Sequence, residues 1–268
     1  MSPSPRGNFY RDTISKWIPD RQSSILVVAG GGTDRGVLLS LGFSNVTISN
    51  LDSRIKGTEF APFAWRFEDG VSLQVENESF DYTIIHAGLH HMASPHKALT
   101  EMYRVARKGV AIFEARDSFT MRLLERFGLT QSYEHSAVFE QGSYGGVDNS
   151  EIPNYIYRWT EREVEKTIAS YAPAYNHRFR YRHGATSPST PLSFFKRLLV
   201  AIATPIYRLF SALFPTQRNL FAAFIEKPEK GQSLHPWLKD SSGKVGFNQE
   251  WGASQYGKSR TLKRNPRA

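Results

Sequence analysis

Short apolar runs alternate with stretches of helical spacing along this chain, and that alternation is its main structural signal. Tyr10, Ile14 and Trp17 recur at helical spacing and predict a leading helix. Ser24–Ala29 (SILVVA) is a compact apolar run ending in Gly30-Gly31-Gly32, the pattern of a buried parallel strand that feeds a tight turn. Arg35–Leu41 reads as a helix closed by Gly42, and Val46–Leu51 as a second strand followed by Asp52. Trp65–Phe67 is a weaker third strand before Glu68-Asp69-Gly70, and Phe80–Ala87 (FDYTIIHA) is a clear fourth. Ser94-Pro95 should open the next helix, with the serine hydroxyl accepting from first-turn N–H groups; Leu99, Met102, Tyr103 and Ala106 form its apolar face and Gly109 follows it. Val110–Glu114 is a fifth strand.

Helical signals return at Phe119–Phe127 and Glu161–Tyr171, and His177–Arg182 and Asn219–Glu226 (NLFAAFIE) supply two more strands. Strands alternating with helices of about ten residues argue for an α/β domain with a doubly wound, mostly parallel sheet of seven strands. A helical insertion, about residues 185–217, precedes the last strand, so the domain is expected to span 1–227. From about Pro228 the chain turns polar, and 228–268 is expected to be a loose tail.

Charge modifies this picture mainly at that tail. The net charge of +9 is uneven, with Lys258, Arg260, Lys263, Arg264 and Arg267 near the end. A diffuse basic tail can serve solubility, anionic lipid or nucleic acid. The 40% hydrophobic and 22% charged content suits a globular protein. The absence of cysteine excludes disulfides, thiolate nucleophiles and Cys-ligated zinc, and points to a reducing compartment. MSPSPRGNFYRD has no apolar core behind a basic start, so no secretory signal is expected and the location is read as cytoplasmic.

Ligands of open α/β sheets bind at the carboxyl ends of the strands. There, Gly30-Gly31-Gly32 would let backbone approach a ligand closely, with Ala29 just before it. Asp52 falls about twenty residues later, where a side chain can accept from ribose hydroxyls, and Asn50 competes for that role. Asp69, beside Glu68, could accept from an adenine amino group. In this order and at these spacings the features describe a site for an adenosine-containing ligand. A dinucleotide fingerprint is not met, because Arg35 occupies the place of the third glycine and Gly36 comes one residue late.

The stretch Asn77–Ile112, which contains ESFDYTIIHAGLHHMASPHKALTEMYRVARKGVAI, resembles the class I methyltransferases, within them the small-molecule, type 11-like group related to ubiquinone-biosynthesis enzymes. The likeness covers about residues 22–116 and implies a Rossmann-like fold and S-adenosylmethionine as cofactor. It also implies that Asp69 takes the place of the acid that contacts adenine. Two departures stand out. Val27 occupies a position where the family usually has an acid, and the G-x-G-x-G loop reads Ala29-Gly30-Gly31-Gly32-Thr33. A non-catalytic binding or scaffold protein on the same fold is the alternative these departures raise.

Methyl transfer needs a nucleophile held in line with the S–CH₃ bond and few catalytic side chains. His90 and His91 are the catalytic candidates, as bases for a hydroxyl acceptor, although such a pair can also simply shape the loop. His86 falls at the cofactor edge by position, but its chemistry, like that of His96, reads as structural. Glu114 ends strand five at the same edge and could equally cap a neighbouring element. No metal is expected. The aromatic-rich stretch from Gln141-Gly142-Ser143-Tyr144 to Asn149, with Tyr155, Tyr157 and Trp159, is expected to build the acceptor pocket or a satellite core.

Leu192–Pro215 carries Phe195, Leu198, Leu199, Ile202, Ile206, Leu209 and Leu213 at helical spacing, with Pro205 expected to kink the helix. Its uncharged run is too short to span a bilayer. It reads as a lid or packing element over the acceptor site, as an interfacial helix on a membrane, or as an oligomer contact. The acceptor is therefore a small molecule, a glycan or a lipid-linked group. Nucleic acid is disfavoured, because His86-Ala87-Gly88-Leu89 stands where base methylases carry an N-P-P-Y motif.

Overall fold

The computed structural model describes residues 4–186, 194–229 and 233–257. A leading helix α1 (Pro5–Trp17) is capped by the Ser4 hydroxyl, which accepts from Gly7 N. Strand β1 (Ile25–Val28) follows, then α2 (Gly32–Ser40), β2 (Val46–Asn50), β3 (Ala64–Phe67), β4 (Phe80–His86), α3 (Pro95–Val105) and β5 (Ala106–Ala115). The remaining elements are α4 (Phe119–Arg126), α5 (His135–Glu140), α6 (Glu161–Tyr171), β6 (Arg178–Gly184), α7 (Phe194–Leu213) and β7 (Leu220–Glu226), with β8 (Leu238–Ser241), β9 (Lys244–Phe247) and α8 (Gln249–Tyr256) beyond the main sheet.

The seven-stranded sheet has the order β3-β2-β1-β4-β5-β7-β6. Strands β1 to β5 pair in parallel, and β7 runs antiparallel to both β5 and β6. This is the expected doubly wound α/β sheet with a helical insertion before its last strand. Strand order reverses direction between β1 and β4, and such a switch point opens a crevice at the strands' carboxyl ends.

Period-two alternation divides the core between the two faces. Ile25 and Val27 of β1 face one way, with Tyr10, Ile14 and Trp17 of α1 and Leu38 of α2. Leu26 and Val28 face the other, with Leu99 and Met102 of α3 and Val164 and Ile168 of α6. The helices therefore sit where the apolar spacing places them.

Several boundaries differ from expectation for local reasons. Helix α2 begins at Gly32, within the glycine turn, because the Asp34 carboxylate accepts from Gly31 N at 2.9 Å and caps the first turn. Ser94 holds the N-cap position of α3, yet its hydroxyl makes no capping bond. Strand β5 starts at Ala106 rather than Val110, because Phe80 of β4 pairs with Ala106 across an irregularity and Lys227 N bonds Lys108 O on the other side. In the segment expected to be loose, residues 238–256 form a hairpin and a short helix. Ser242 and Gly243 both have positive φ, which suits a two-residue turn between β8 and β9. Trp237 stacks on His235 at 4.2 Å and lies 5.8 Å from Trp251, giving this unit a small aromatic core. The basic residues from 258 onward lie outside the described residues.

Candidate functional site

A cleft of about 430 Å³ opens at the carboxyl ends of β1, β2 and β4 and beyond β3. Its floor is the turn after β1. Gly30 packs so closely on the strands that a Cβ there would lie 2.7 Å from Val27 Cγ1 and 2.9 Å from Ile48 Cγ2. Ala29 sits at φ 51, in the left-handed region, so this alanine carries the conformation that glycine would adopt freely. Ala87, which ends β4 across the cleft, does the same at φ 55.

The acidic and amide side chains around this floor have distinct tasks. Asn50 donates from Nδ2 to Gly30 O at 3.1 Å and so ties the glycine turn to β2. Asp52 is gripped by Arg54, whose Nη2 lies 2.6 Å from Oδ2, and this hydrogen bond is the main cause holding its carboxyl below the usual range. Glu68 is buried, pairs with Arg66 at 2.7 Å and accepts from Gln74 N. Asp69 accepts from Val71 N with Oδ1 and lines the cleft half-buried.

The rim opposite is made by the loop at 141–149 and by a short 3-10 turn, Leu89–His91. Arg54 reaches across to donate to Gln141 O and lies 3.9 Å from the Tyr144 ring centre, while Ala93 N bonds Asp148 Oδ1. The 3-10 turn is held from below by Glu114. This fully buried carboxylate accepts from Gly88 N and Leu89 N with one oxygen and meets His90 Nδ1 at 2.5 Å with the other. On the far side of the two rings, His90 Nε2 and His91 Nε2 each lie 3.3 Å from Glu134 Oε2. Burial alone would lower the His90 pKa, but the charge and hydrogen bond of Glu114, helped by Glu134, raise it to about 9. Burial and the neighbouring charge of His90 push His91 the other way, below its ordinary value.

Residues 30–113, the stretch that builds the cleft floor and the 3-10 turn, match the family model of the methyltransferase domain. That stretch, about a third of the chain, is thus similar to a methyltransferase domain. The family's cofactor is S-adenosylmethionine. Among solved structures, the chain is similar to the magnesium protoporphyrin IX methyltransferase of Synechocystis crystallised with bound SAH, at 11% identity, TM-score 0.50, and with 83% of this chain and 84% of that one covered. A SAM-dependent methyltransferase from Archaeoglobus fulgidus aligns at 12% identity and TM-score 0.49, covering 82% and 94%. At such identities the likeness is one of fold. No curated protein sequence matches the chain.

The cleft brings together Ala29, Gly30, Gly31, Gly32, Asn50, Asp52, Glu68, Asp69 and His91. It leaves out two of the expected residues. His86 is not in the cleft wall: its ring stacks on Tyr10 at 4.5 Å, and burial lowers its pKa to about 4. His90 lies behind the wall, held between Glu114 and Glu134, and so does not face the cleft. Loop 141–149 lines the same cleft, tied there by the bonds from Arg54 to Gln141 O and from Ala93 N to Asp148 Oδ1. Tyr157 and Trp159 pack with His96 against the core on the α3 and α6 face of the sheet. Val27, at the place of the family acid, is fully buried beneath Gly30.

Sequence reasoning missed Asp34, Arg54, Met92 and Glu134. Asp34 was legible as an acid at the third position of a helix that starts in the glycine turn. Glu134 carried no signal, since it lies more than forty residues beyond the histidines and meets them only through the fold.

Proposed function

We propose that this protein transfers a methyl group from S-adenosylmethionine to an amphipathic or lipid-linked acceptor that it meets at a membrane surface. The cofactor part of the reading is carried by the cleft, where a close-packed glycine turn and the carboxyl ends of β2 and β3 leave room for an adenosine group. Gly30, Gly31 and Gly32 would line the amino-acid portion with backbone, Asp52 would accept from the ribose after exchanging part of its Arg54 contact, and Asp69 would face the adenine edge. Of the two histidines, His91 is the one an acceptor in the cleft can reach.

The acceptor part rests on α7. Its outward stripe exposes Phe194, Leu198, Ile202, Ile206, Leu209 and Leu213, five of them by more than 60% or close to it. None of these residues lines the cleft. Each such side chain gains roughly 1.5–3 kcal/mol on full burial, so the stripe is a strong candidate for an apolar phase. Arg208, exposed on the same helix, suits anionic headgroups. The surface continues toward α4, where Phe119, Leu123 and Phe127 are exposed and Thr120 bonds Gln217 beside the end of α7. Among the described residues no helix is long and apolar enough to cross a membrane, which fits surface binding.

Calorimetry with S-adenosylmethionine tests the first part, with one molecule bound per chain expected in the micromolar range. No binding at millimolar cofactor would overturn it in favour of a scaffold. Co-sedimentation with anionic vesicles tests the second: retention of the protein is expected, and its absence from both anionic and neutral vesicles would overturn the membrane assignment.

A further inference from the structure

Glu134, His90 and His91 do more than form an ion pair. A lone carboxylate oxygen sits 3.3 Å from two different imidazole nitrogens, both of them Nε2 atoms, and the three atoms belong to a group whose ligand atoms all lie within 4.8 Å. In a tetrahedral site with bonds of about 2.0–2.1 Å, neighbouring ligand atoms stand about 3.3 Å apart. Both nitrogen–oxygen spacings thus match edges of a zinc tetrahedron, and the third pair lies within 4.8 Å.

The support behind the ligands points the same way. Metal-bound histidines commonly give their other ring N–H to a carboxylate, which fixes tautomer and orientation. Glu114 does this for His90, meeting Nδ1 at 2.5 Å and leaving Nε2 for the cluster. Glu114 is itself anchored by two backbone N–H groups, from Gly88 and Leu89. Glu134 is steadied by Asn154, whose Nδ2 lies 3.5 Å from Oε2 and whose carbonyl accepts from Glu134 N. The two rings lie 4.6 Å apart with 35° between their planes, so both nitrogens converge without either ring leaving the 3-10 turn.

We propose that His90 Nε2, His91 Nε2 and Glu134 Oε2 bind one divalent transition-metal ion of the zinc type. Three protein ligands leave the fourth position open, the arrangement of reactive rather than purely structural zinc. The open side is that of His91 and Glu134, whose side chains are 28% and 32% exposed, and His91 also lines the cleft. That position takes an oxygen or nitrogen of a molecule entering beside the cofactor. Where that molecule is the methyl acceptor, a point that rests on the reading above, the ion acidifies its hydroxyl as a Lewis acid, the proton leaves to water on the exposed side, and the metal-bound oxygen takes the methyl group as the sulfonium becomes a neutral thioether.

The test uses untagged full-length protein stripped with a chelator and titrated with Zn(II), and separately with Co(II). One Zn(II) per chain at micromolar affinity or tighter is expected, and Co(II) should give the visible absorption of a four-coordinate ion. Glu134→Gln and His91→Ala should each weaken Zn(II) binding by at least about 100-fold, and Glu114→Gln by about 10–100-fold with the ligands intact. No binding at about 1 mM Zn(II), or an unchanged affinity in the His91→Ala and Glu134→Gln proteins, overturns the site. Both of those positions are partly exposed, so folded variants are expected and circular dichroism verifies them. Calorimetry with S-adenosylmethionine on the same samples separates the two readings. Zinc binding without cofactor binding would leave the metal site standing and remove methyl transfer, and the reverse result would do the opposite.

Discussion

The floor and the rim of the cleft are built by opposite means. On the floor, backbone is fixed by packing with no spare room: Gly30 lies against Val27 and Ile48, and Asn50 and Asp34 hold the turn by hydrogen bonds. On the rim, polar side chains reach across gaps, and the outer surface beyond it leaves apolar ones exposed, such as Phe139, Ile152, Phe119 and the stripe of α7. A cofactor shared by a whole family needs the same rigid cradle each time, whereas an acceptor is chosen by surfaces that can vary without disturbing the sheet. The floor therefore announces the reaction and the rim its target.

The sharpest way to break the contrast is to thicken the floor. Gly30→Val would place side-chain atoms into Val27 and Ile48, and should cost about 3 kcal/mol of stability and abolish cofactor binding. Denaturant unfolding and calorimetry measure the two, and a fully stable variant would show that the turn has slack.

Asp34 probes how much strain the floor contains. Burial raises its pKa from 3.8 to about 6, so between those values the folded protein holds more protons than the unfolded chain. Stability from this group is therefore greatest at low pH and declines as pH rises through about 6. Asp34→Asn keeps an acceptor for Gly31 N but carries no charge. It should flatten that slope and raise stability by about 2 kcal/mol at pH 8, read from unfolding at a series of pH values.

The rim should answer differently. Ile202→Asp with Ile206→Asp should leave folding stability within about 0.5 kcal/mol, since both side chains are exposed, yet reduce binding to anionic vesicles at least about tenfold. A large loss of stability would mean that α7 packs on the domain. The smallest effect belongs to Ala29→Gly. Relief of its positive φ is partly offset by a floppier unfolded chain, and a gain of about 0.5 kcal/mol is expected, with cofactor affinity changed by less than about threefold.

Legibility in the sequence follows the same division. The apolar runs at 25–28, 46–50, 80–86 and 220–226 are strands because strands buried on both faces admit little but aliphatic side chains. The glycine triplet, Asn50, Asp52, Glu68 and Asp69 follow those strands closely, so their arrival at one edge was set by topology and could be read in advance. His86 was misplaced because position along a strand says nothing about face: the alternation turns it toward Tyr10 and away from the cleft. The hairpin at 238–247 was missed although Ser242-Gly243 marks its turn, since its surroundings are polar and its core is only a few aromatic rings.

By itself, then, the sequence determined the order and type of the elements and hence the crevice where a nucleoside-bearing cofactor belongs, because hydrophobic periodicity is local and parallel topology leaves few alternatives. Tertiary structure alone decided which polar groups meet. The reach of Arg54 to Gln141, the burial of Glu114 behind His90, and the approach of Glu134 to two histidines over forty residues earlier are contacts of long sequence separation. Such contacts are made by the packing of the whole domain, and no local pattern encodes them.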